Sequence, residues 1–447
     1  MNGETPPGWA WADFGAIADT QLGKMLSKKS TTGVRSRPYL RNQNVQWHRF
    51  DLSDVAEMDF TTDESSKYEL RPGDLLVCEG GEVGRCAMWR SPPGEMYFQK
   101  ALHRVRPRMD IHSKWLEYFL RWSAETGRFA PHTSGSTIRH LPQRDLRQLR
   151  VPIPPIAEQE RIVATIEAHF SCLDAAEAAL EVARATLQAL RRSVLAAAFS
   201  GRLTNPSHTT TTDRGQLPEG WRLASIADVA EVHLGRQRSP RHHTGEQMRP
   251  YLRAANVTWE GISLEDVKTM NFDDADFDRF RLTRGDILLN EASGSPNEVG
   301  KPAVWDGEIE DCCFQNTLLR LRPRDLNRDY LYWYCYSSAL SGRFGEAGRG
   351  VNIRHLGKRG LAQFPIPLGP RAEQERVVAA IEESLSRLDA AEASLDTARA
   401  KIGTFRRSVL AEAFAGGLVP QDPDDEPAAA LLARTATEHP ARRKKSA

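Results

Sequence analysis

Two stretches of this chain crowd together side chains that bind phosphate and read base edges, and each is followed at once by a stretch of acids. From Thr20 to Phe50 there are seven Lys or Arg and no Asp or Glu, whereas Asp51 to Glu82 holds ten acids and two bases. Val232 to Trp259 then carries five Arg and three His against Glu246 alone, and Glu260 to Asp286 holds eight acids and four bases. The chemistry open to the basic stretches is neutralisation of phosphates by Lys and Arg. Arg paired bidentately to guanine, or Asn to adenine, would supply the sequence-reading part. The candidates are Lys24, Lys28, Lys29, Arg37, Arg41 and Asn44 in the first stretch, and Arg236, Arg238, Arg241, Arg249, Arg253 and Asn256 in the second. A further basic cluster lies later in each half: Arg139, His140, Arg144 and Arg147, then Arg349, Arg354, His355 and Lys358. Ser136 and Thr137 precede the first of these, with hydroxyls suited either to phosphate or to capping a helix before Ile138. A net charge of +1 does not oppose this reading, because segregated charge makes basic patches without net charge. The competing account, ordinary solvated faces, is weakened by the recurrence of the same order. Tyr39, Trp47, Tyr251 and Trp259 read as core residues rather than base-stacking platforms.

No catalytic constellation accompanies these residues. Gly80-Gly81-x-x-Gly84 and the glycines at 294 and 300 match neither the P-loop nor the dinucleotide pattern. Asp74 and Asp286, in Arg-Pro-Gly-Asp and Arg-Gly-Asp, read as turn-formers. No Asp-Pro-Pro-Tyr type of segment, nuclease-type acid–lysine cluster or Ser/His/Asp set is evident. The six cysteines, at 78, 86, 172, 312, 313 and 335, form no C-x-x-C pair and lack His at zinc spacing, so reduced, mostly buried thiols and no metal are expected. Composition, 40% hydrophobic and 27% charged, is that of a soluble protein. With no signal-peptide order at the start and no apolar run of about 20 residues, a cytoplasmic, non-membrane protein is expected.

The positioning elements are written twice. A shift of 212 places Gly8-Trp9 on Gly220-Trp221, Pro38-Tyr-Leu-Arg41 on Pro250-Tyr-Leu-Arg253, and Asn44-Val45 on Asn256-Val257. A four-residue insertion near Ser293 makes the shift 216, bringing Phe98-Gln99 onto Phe314-Gln315; at 215, Ile138-Arg-His-Leu141 meets Ile353-Arg-His-Leu356 and Arg191-Arg192-Ser193 meets Arg406-Arg407-Ser408. Such a period is far too long for a solenoid, so each copy must be a domain with an appendage. Runs such as Asp74 to Val77 and Asp286 to Leu289 read as buried strands, and Lys114 to Ala124 as a helix. Each globule is therefore expected to be α/β (α+β) with mostly antiparallel or mixed strands.

The appendages read as helices. Ala157 to Ser200 contains no Pro or Gly and follows a Pro-rich start. Ile166, Leu173, Leu180, Leu187 and Val194 recur every seven residues, as do Ile381, Leu388, Leu395, Ile402 and Val409 in the second copy. A second series, Ile162, His169, Ala176, Ala183, Leu190 and Ala197, lies between them, with Val377, Ala391, Ala398 and Phe405 in the second copy. Sustained heptads in both copies favour an antiparallel coiled coil of the two helices over a helix folded on its own globule. At about 1.5 Å per residue such a helix spans roughly 65 Å, a rigid separator. The expected organisation is a first recognition domain over 1–155, spacer helix 156–203, linker 204–216, second recognition domain 217–370, spacer helix 371–418 and a disordered tail over 419–447.

This order of globule, heptad helix, globule, heptad helix resembles the specificity subunit of type I restriction–modification systems. The closest local matches are Val151-Pro-Ile-Pro-Pro-Ile-Ala-Glu-Gln-Glu-Arg-Ile-Val163, its counterpart Phe364 to Val378, Gly135-Ser-Thr-Ile138 and the Gly-Asp-Leu-Leu and Gly-Asp-Ile-Leu strands. Gly350-Val-Asn-Ile353 departs from Gly-Ser-Thr-Ile. The resemblance implies two target recognition domains, each reading one half of a split site in double-stranded DNA, with the helix pair setting the gap. It also implies two methyltransferase (M) subunits and translocase–nuclease (R) subunits as partners. S-adenosylmethionine, ATP and Mg2+ would sit on those partners, with no cofactor on this chain. Two other readings are a subunit serving a fused methyltransferase–nuclease partner and a coiled-coil adaptor without a DNA role.

Overall fold

The computed structural model describes residues 5–27, 30, 32–90, 96–108, 111–132, 140–205, 217–293, 295, 298–348 and 354–438. They divide into two units, Met1–Ala179 with Ala398–Ala447, and Leu180–Thr397. The division falls inside both long helices rather than at the expected starts of those helices, because each unit combines one globule with half of each helix.

In the first unit a four-stranded antiparallel sheet runs in the order Ala18–Leu22, Leu102–Pro107, Leu75–Cys78, Cys86–Met88. A three-stranded sheet places Ser36–Leu40 between Ala56–Asp59, antiparallel, and Tyr97–Phe98, parallel. The central strand Leu75–Cys78 is buried throughout, which explains its continuous apolar run. The second unit repeats this topology with Ala230–Leu234, Leu318–Pro323, Ile287–Asn290 and Pro302–Val304, and with Met248–Leu252 between Lys268–Asn271 and Cys313–Phe314. The expectation of mixed α/β globules in tandem holds. Tyr39 and Tyr251 are buried as expected.

Asp74 and Asp286 do more than form turns. Each is almost fully buried and pairs in a fork with the guanidinium of a neighbouring strand, Arg106 in one unit (2.5 and 2.9 Å) and Arg322 in the other (2.7 and 2.7 Å). Each also accepts the backbone N–H three residues earlier, from Arg71 and Thr283.

The long helices run from Ile156–Phe199 and Arg371–Ala415. The Ala-Glu-Gln-Glu-Arg motif near each start is a joint. Gln159 accepts the His112 N–H at 3.0 Å and donates to the Pro154 carbonyl; Gln374 does the same with Asn327 and Gly369. These bonds clamp each long helix to the start of a globule helix, Ser113–Glu125 or Arg328–Leu340. In the first unit Ile162 and Ile166 share a core with Val409, Leu410, Ala413 and Phe414; in the second, Leu195 and Phe199 share one with Val377 and Ile381. Early residues of one helix thus meet late residues of the other within each unit, the antiparallel register. Ile402 is likewise buried, while Leu173, Leu180, Leu187, Val194, Leu388 and Leu395 are half-buried. Matched ion pairs reinforce the register: Arg406 with Asp174 (2.5 Å) and Glu177 (3.1 Å), and Arg191 with Asp389 (2.5 Å) and Glu392 (2.8 Å). The second apolar series behaves differently, since Leu190 and Phe405, at matched positions, are 45% and 52% exposed. Ile162 and Val377, of the same series, are buried near the helix starts, so both series contribute to the seam and only Leu190 and Phe405 open out of it.

Each long helix ends at a glycine in the left-handed region, Gly201 (φ +75°) and Gly416 (φ +78°). A β-carbon at Gly201 would collide with Pro218, and one at Gly416 with Pro6, so the two closures are equivalent. The disordered tail expected from 419 is corrected in part. Ala428–Glu438 is a helix whose Ala428 and Leu431 are buried in the first unit's core. Ala428 N–H donates to the Gly8 carbonyl (2.8 Å), and Arg161 pairs with Asp425 (2.7 Å). The Ala/Leu-rich composition that reads as a low-complexity tail is equally a strong helix former once an apolar face is offered. Most of the expected linker lies outside the described residues.

Candidate nucleic-acid interface

The basic loops begin at a buried anchor. Lys24 donates to the Asp59 carbonyl and pairs with Glu64, both at 2.6 Å, and its ammonium lies 5.0 Å from the Phe60 ring centre. The Lys24 ammonium, bonded to Glu64, holds that carboxyl below its usual range. In the second unit Arg236 donates to the Asn271 carbonyl, pairs with Asp276 (2.5 Å) and lies over Phe272. These are the same contacts at a shift of 212. By residue type Lys24 and Arg236 are candidates for phosphate, but their heads are committed inside the protein; they fasten the loop.

Asp59 closes the first loop. Its Oδ2 accepts the N–H groups of Thr32 (2.7 Å) and Gly33 (3.0 Å) and the Thr32 hydroxyl, while Oδ1 accepts the Arg35 N–H (2.8 Å). Those bonds, the Thr32 hydroxyl first, lower its pKa. Asn271 takes the equivalent place and accepts the Gln247 N–H at 2.8 Å. Sequence reading missed these partners. The signal was available in the acids matched between copies, Glu64 with Asp276.

Asn44 and Asn256 are also corrected as base-reading candidates. Both are 2% exposed. Asn44 Oδ1 accepts the Arg41 N–H, and its amide donates to the carbonyls of Asp51 and Asp54 at 2.9 and 2.8 Å. Asn256 brackets Arg253, Ser263 and Asp266 identically. With both ends of the amide used, neither can turn to a base edge. The neighbouring guanidiniums are paired as well, Arg41 with Asp54 (2.9 Å) and Arg253 with Asp266. Arg249 pairs with Asp311 (3.1 Å) and stacks on Phe277.

What remains at the surface is narrower. Arg37, Arg238 and Arg241 are exposed, and Arg37 makes only a long bond to the Ser36 carbonyl among the described contacts. In the later cluster His140, Arg144, Arg147, His355 and Lys358 are exposed. This segment is tied to the loop after the central strand: Gly80 bridges His140 in one unit, and Ala292–Ser293 pairs with Arg354–His355 in the other. His355 meets Glu291 at 2.9 Å, and Arg354 donates to the Gly345 carbonyl at 2.7 Å. Lys28, Lys29, Ser136, Thr137, Arg139 and Arg349 lie outside the described residues.

The glycine loops hold no nucleotide pattern because they serve packing. Gly84 (φ +81°) and Gly300 (φ +74°) each face a phenylalanine ring, Phe129 and Phe344, with which a β-carbon would collide. Trp47 and Trp259 are half-buried and donate to Glu82 (2.5 Å) and Glu298 (2.9 Å) in these same loops. Five of the six thiols are buried, and only Cys172 is exposed. Burial pushes Cys78 up to about 11 and Cys312 and Cys313 to about 12. Among the described residues no group of three or more His, Cys, Asp and Glu is placed to hold a metal ion, and no helix is long and apolar enough to cross a membrane.

Residues 7–182 match the model of the type I restriction modification DNA specificity domain. The chain is 24% identical over 435 residues to the StySPI specificity subunit of Salmonella potsdam, covering 94% of this chain and 91% of that protein. It is 23% identical over 457 residues to the EcoKI specificity subunit of Escherichia coli (strain K12), covering 98% and 97%. Its fold is similar, with a TM-score of 0.69 at 19% identity, to a chain solved in work on assembly and conformational transition of the type I R-M system, covering 93% of this chain and 100% of the other. The duplicated globules, the paired helices and this likeness along nearly the whole chain make it similar to the specificity subunits of type I restriction–modification systems, whose DNA specificity domain residues 7–182 match.

Proposed function

We propose that this chain gives a type I restriction–modification complex its DNA sequence specificity and catalyses nothing itself. Each globule reads one half of a bipartite site in double-stranded DNA, and the helix pair fixes the unspecified gap. Two methyltransferase subunits dock along the helices, with S-adenosylmethionine on them. ATP and Mg2+ serve the translocase–nuclease subunits.

One observation carries this reading: the two globules share anchors and brackets residue for residue yet differ in what their loops expose. Lys24–Glu64 corresponds to Arg236–Asp276, and Asn44 corresponds to Asn256 in its contacts. Between these fixed points the first loop presents Met25, Leu26, Val34 and Arg37, and the second presents Arg238 and Arg241. Two readers of different half-sites need a common frame and different tips. Docking along the helices is supported by Leu190 and Phe405, apolar and exposed at equivalent places.

The test is to co-express the chain with the methyltransferase of its own gene cluster and map methylated adenines in host DNA. A single split motif with a fixed gap is expected. An active methyltransferase in a stable complex that leaves no such motif would return the adaptor reading to the front.

A further inference from the structure

At one place the two units, alike in frame, part company in charge. In the first, Trp47 is covered from within: the Arg121 guanidinium lies 4.7 Å from its ring centre and is held by Glu125 at 2.5 Å. The neighbouring Glu117 is buried and faces His48 at 3.2 Å. At shifts of 212 and 215 the second unit keeps Trp259 for Trp47. It has Glu260 for His48, Tyr332 for Glu117, Trp333 for Tyr118 and Tyr336 for Arg121. The covering cation is gone, and an acid stands in place of the histidine.

Those replacements leave an open site. Trp259, Tyr332, Trp333 and Tyr336 are half-buried, and their rings meet at centre-to-centre distances of 5.0 to 6.0 Å. They wall a cavity of about 870 Å³ whose other side is formed by the long-helix segments 188–195 and 382–392.

The charge of this cavity is not balanced from inside. Arg191 is taken up by Asp389 and Glu392, and Lys301, 5.9 Å from the Trp259 ring centre, by Glu298. Glu260 and Glu382 are exposed, and neither is in an ion pair among the described residues. Counting Arg192 as well, four acids face two arginines on the walls, a net charge of −2. An aromatic face attracts a cation within about 6 Å, the more so where water is kept out. The first unit shows which cation this place takes, a guanidinium supplied by the chain itself. The second has the rings and the acids and lacks that group.

We propose that this cavity receives an Arg or Lys side chain of a protein partner, in the second unit only. The partner is the methyltransferase subunit of the reading above, on which the proposal rests. That reading places the subunit along the long helices, and the wall segment 188–195 carries the exposed Leu190. DNA is a poor occupant, because unpaired carboxylates repel its phosphates. Two identical partners are then held unequally, the one at the second unit having an anchor that the other lacks.

The test uses the full chain co-purified with that methyltransferase, as wild type, E260Q/E382Q and Y336R. Native mass spectrometry counts partners across a dilution series at low and high salt. The glutamines remove charge from two exposed side chains, and Tyr336→Arg supplies the guanidinium that Arg121 gives the first unit. Each variant should weaken one of the two partners at least about fivefold and leave the other unchanged. The weakened step should also lose most of its salt dependence. The melting temperature of E260Q/E382Q should match the wild type, because both residues are exposed. Unchanged affinities in either variant overturn the proposal, as do two partners weakened equally. Replacing Arg442, Arg443, Lys444 and Lys445 with Gln should alter neither step. Tighter binding of one partner there would make the chain's own basic end the occupant and overturn the assignment to a partner. A wild-type chain that captures no methyltransferase would instead remove the reading beneath the proposal, and the occupant with it.

Discussion

Replacing Asn44 or Asn256 with Ala strands one backbone N–H and two carbonyls in a buried place, so a loss of about 1–3 kcal/mol of stability is expected from each. The methylated motif should not change. Thermal unfolding and motif mapping on the same variants separate the two effects. Arg238→Ala with Arg241→Ala should do the reverse: an unchanged melting temperature, weaker DNA binding, and a salt dependence of binding shallower by about one unit of slope for each phosphate left without its cation. The first loop should also respond to acid. Asp59 and Glu64 have folded pKa values below their ordinary 3.8 and 4.5. Their contribution is therefore complete above those ordinary values and is lost as pH falls through them towards the lowered ones. Hydrogen exchange at the Thr32, Gly33 and Arg35 amides should accelerate over that window while the Leu75–Cys78 strand stays protected. Residue types in the basic stretches pick out loops in which Arg37, Arg238 and Arg241 are exposed. They did not separate guanidiniums that face out from those that fasten, because that depends on acids 40 residues away in sequence, such as Glu64 beside Lys24.

At the scale of elements the heptads were the most legible feature. The spacing of Ile166 through Val194 and of Ile381 through Val409 marks both helices, and the matched Arg406–Asp174 and Arg191–Asp389 pairs hold their register. Period alone did not show where the seam opens, since Leu190 and Phe405 are exposed while Ile162 and Val377 of the same series are buried. Nor did it show the helix Ala428–Glu438, whose burial depends on a surface around Gly8 far away in sequence. Inserting seven residues into each long helix, at matched positions near the middle, should add about 10 Å of length and lengthen the methylated motif's gap by about three base pairs. An insertion in one helix alone would break the opposed ion pairs and should lower stability instead. Splitting the fork by Asp286→Ala should cost about 1–3 kcal/mol, because the Thr283 N–H loses its acceptor while Arg322, 35% exposed, can be hydrated.

The molecule as a whole follows from the duplication. Strand order, the buried fork, the glutamine joint and the loop anchor all occur once in each unit, built from residues that match at shifts of 212 to 216. The repeat was legible because close packing restricts residue choice at Gly84 and Gly300, at Asp74 and Asp286, and at Gln159 and Gln374. Which bases the globules would read under the proposed function is not legible, because exposed residues such as Arg37 and Arg238 are little restricted by packing. The two helix ends carry the symmetry one step further. Gly201 rests on Pro218, which the chain reaches by running on; Gly416 rests on Pro6, which it does not. The two joints are equivalent although one joins residues close in sequence and the other residues far apart, so which of them the polypeptide runs through should matter little. A gene that fuses residue 447 to residue 1 through a short flexible linker, and opens the chain between 206 and 216 instead, should yield a protein with the same melting temperature and the same methylated motif.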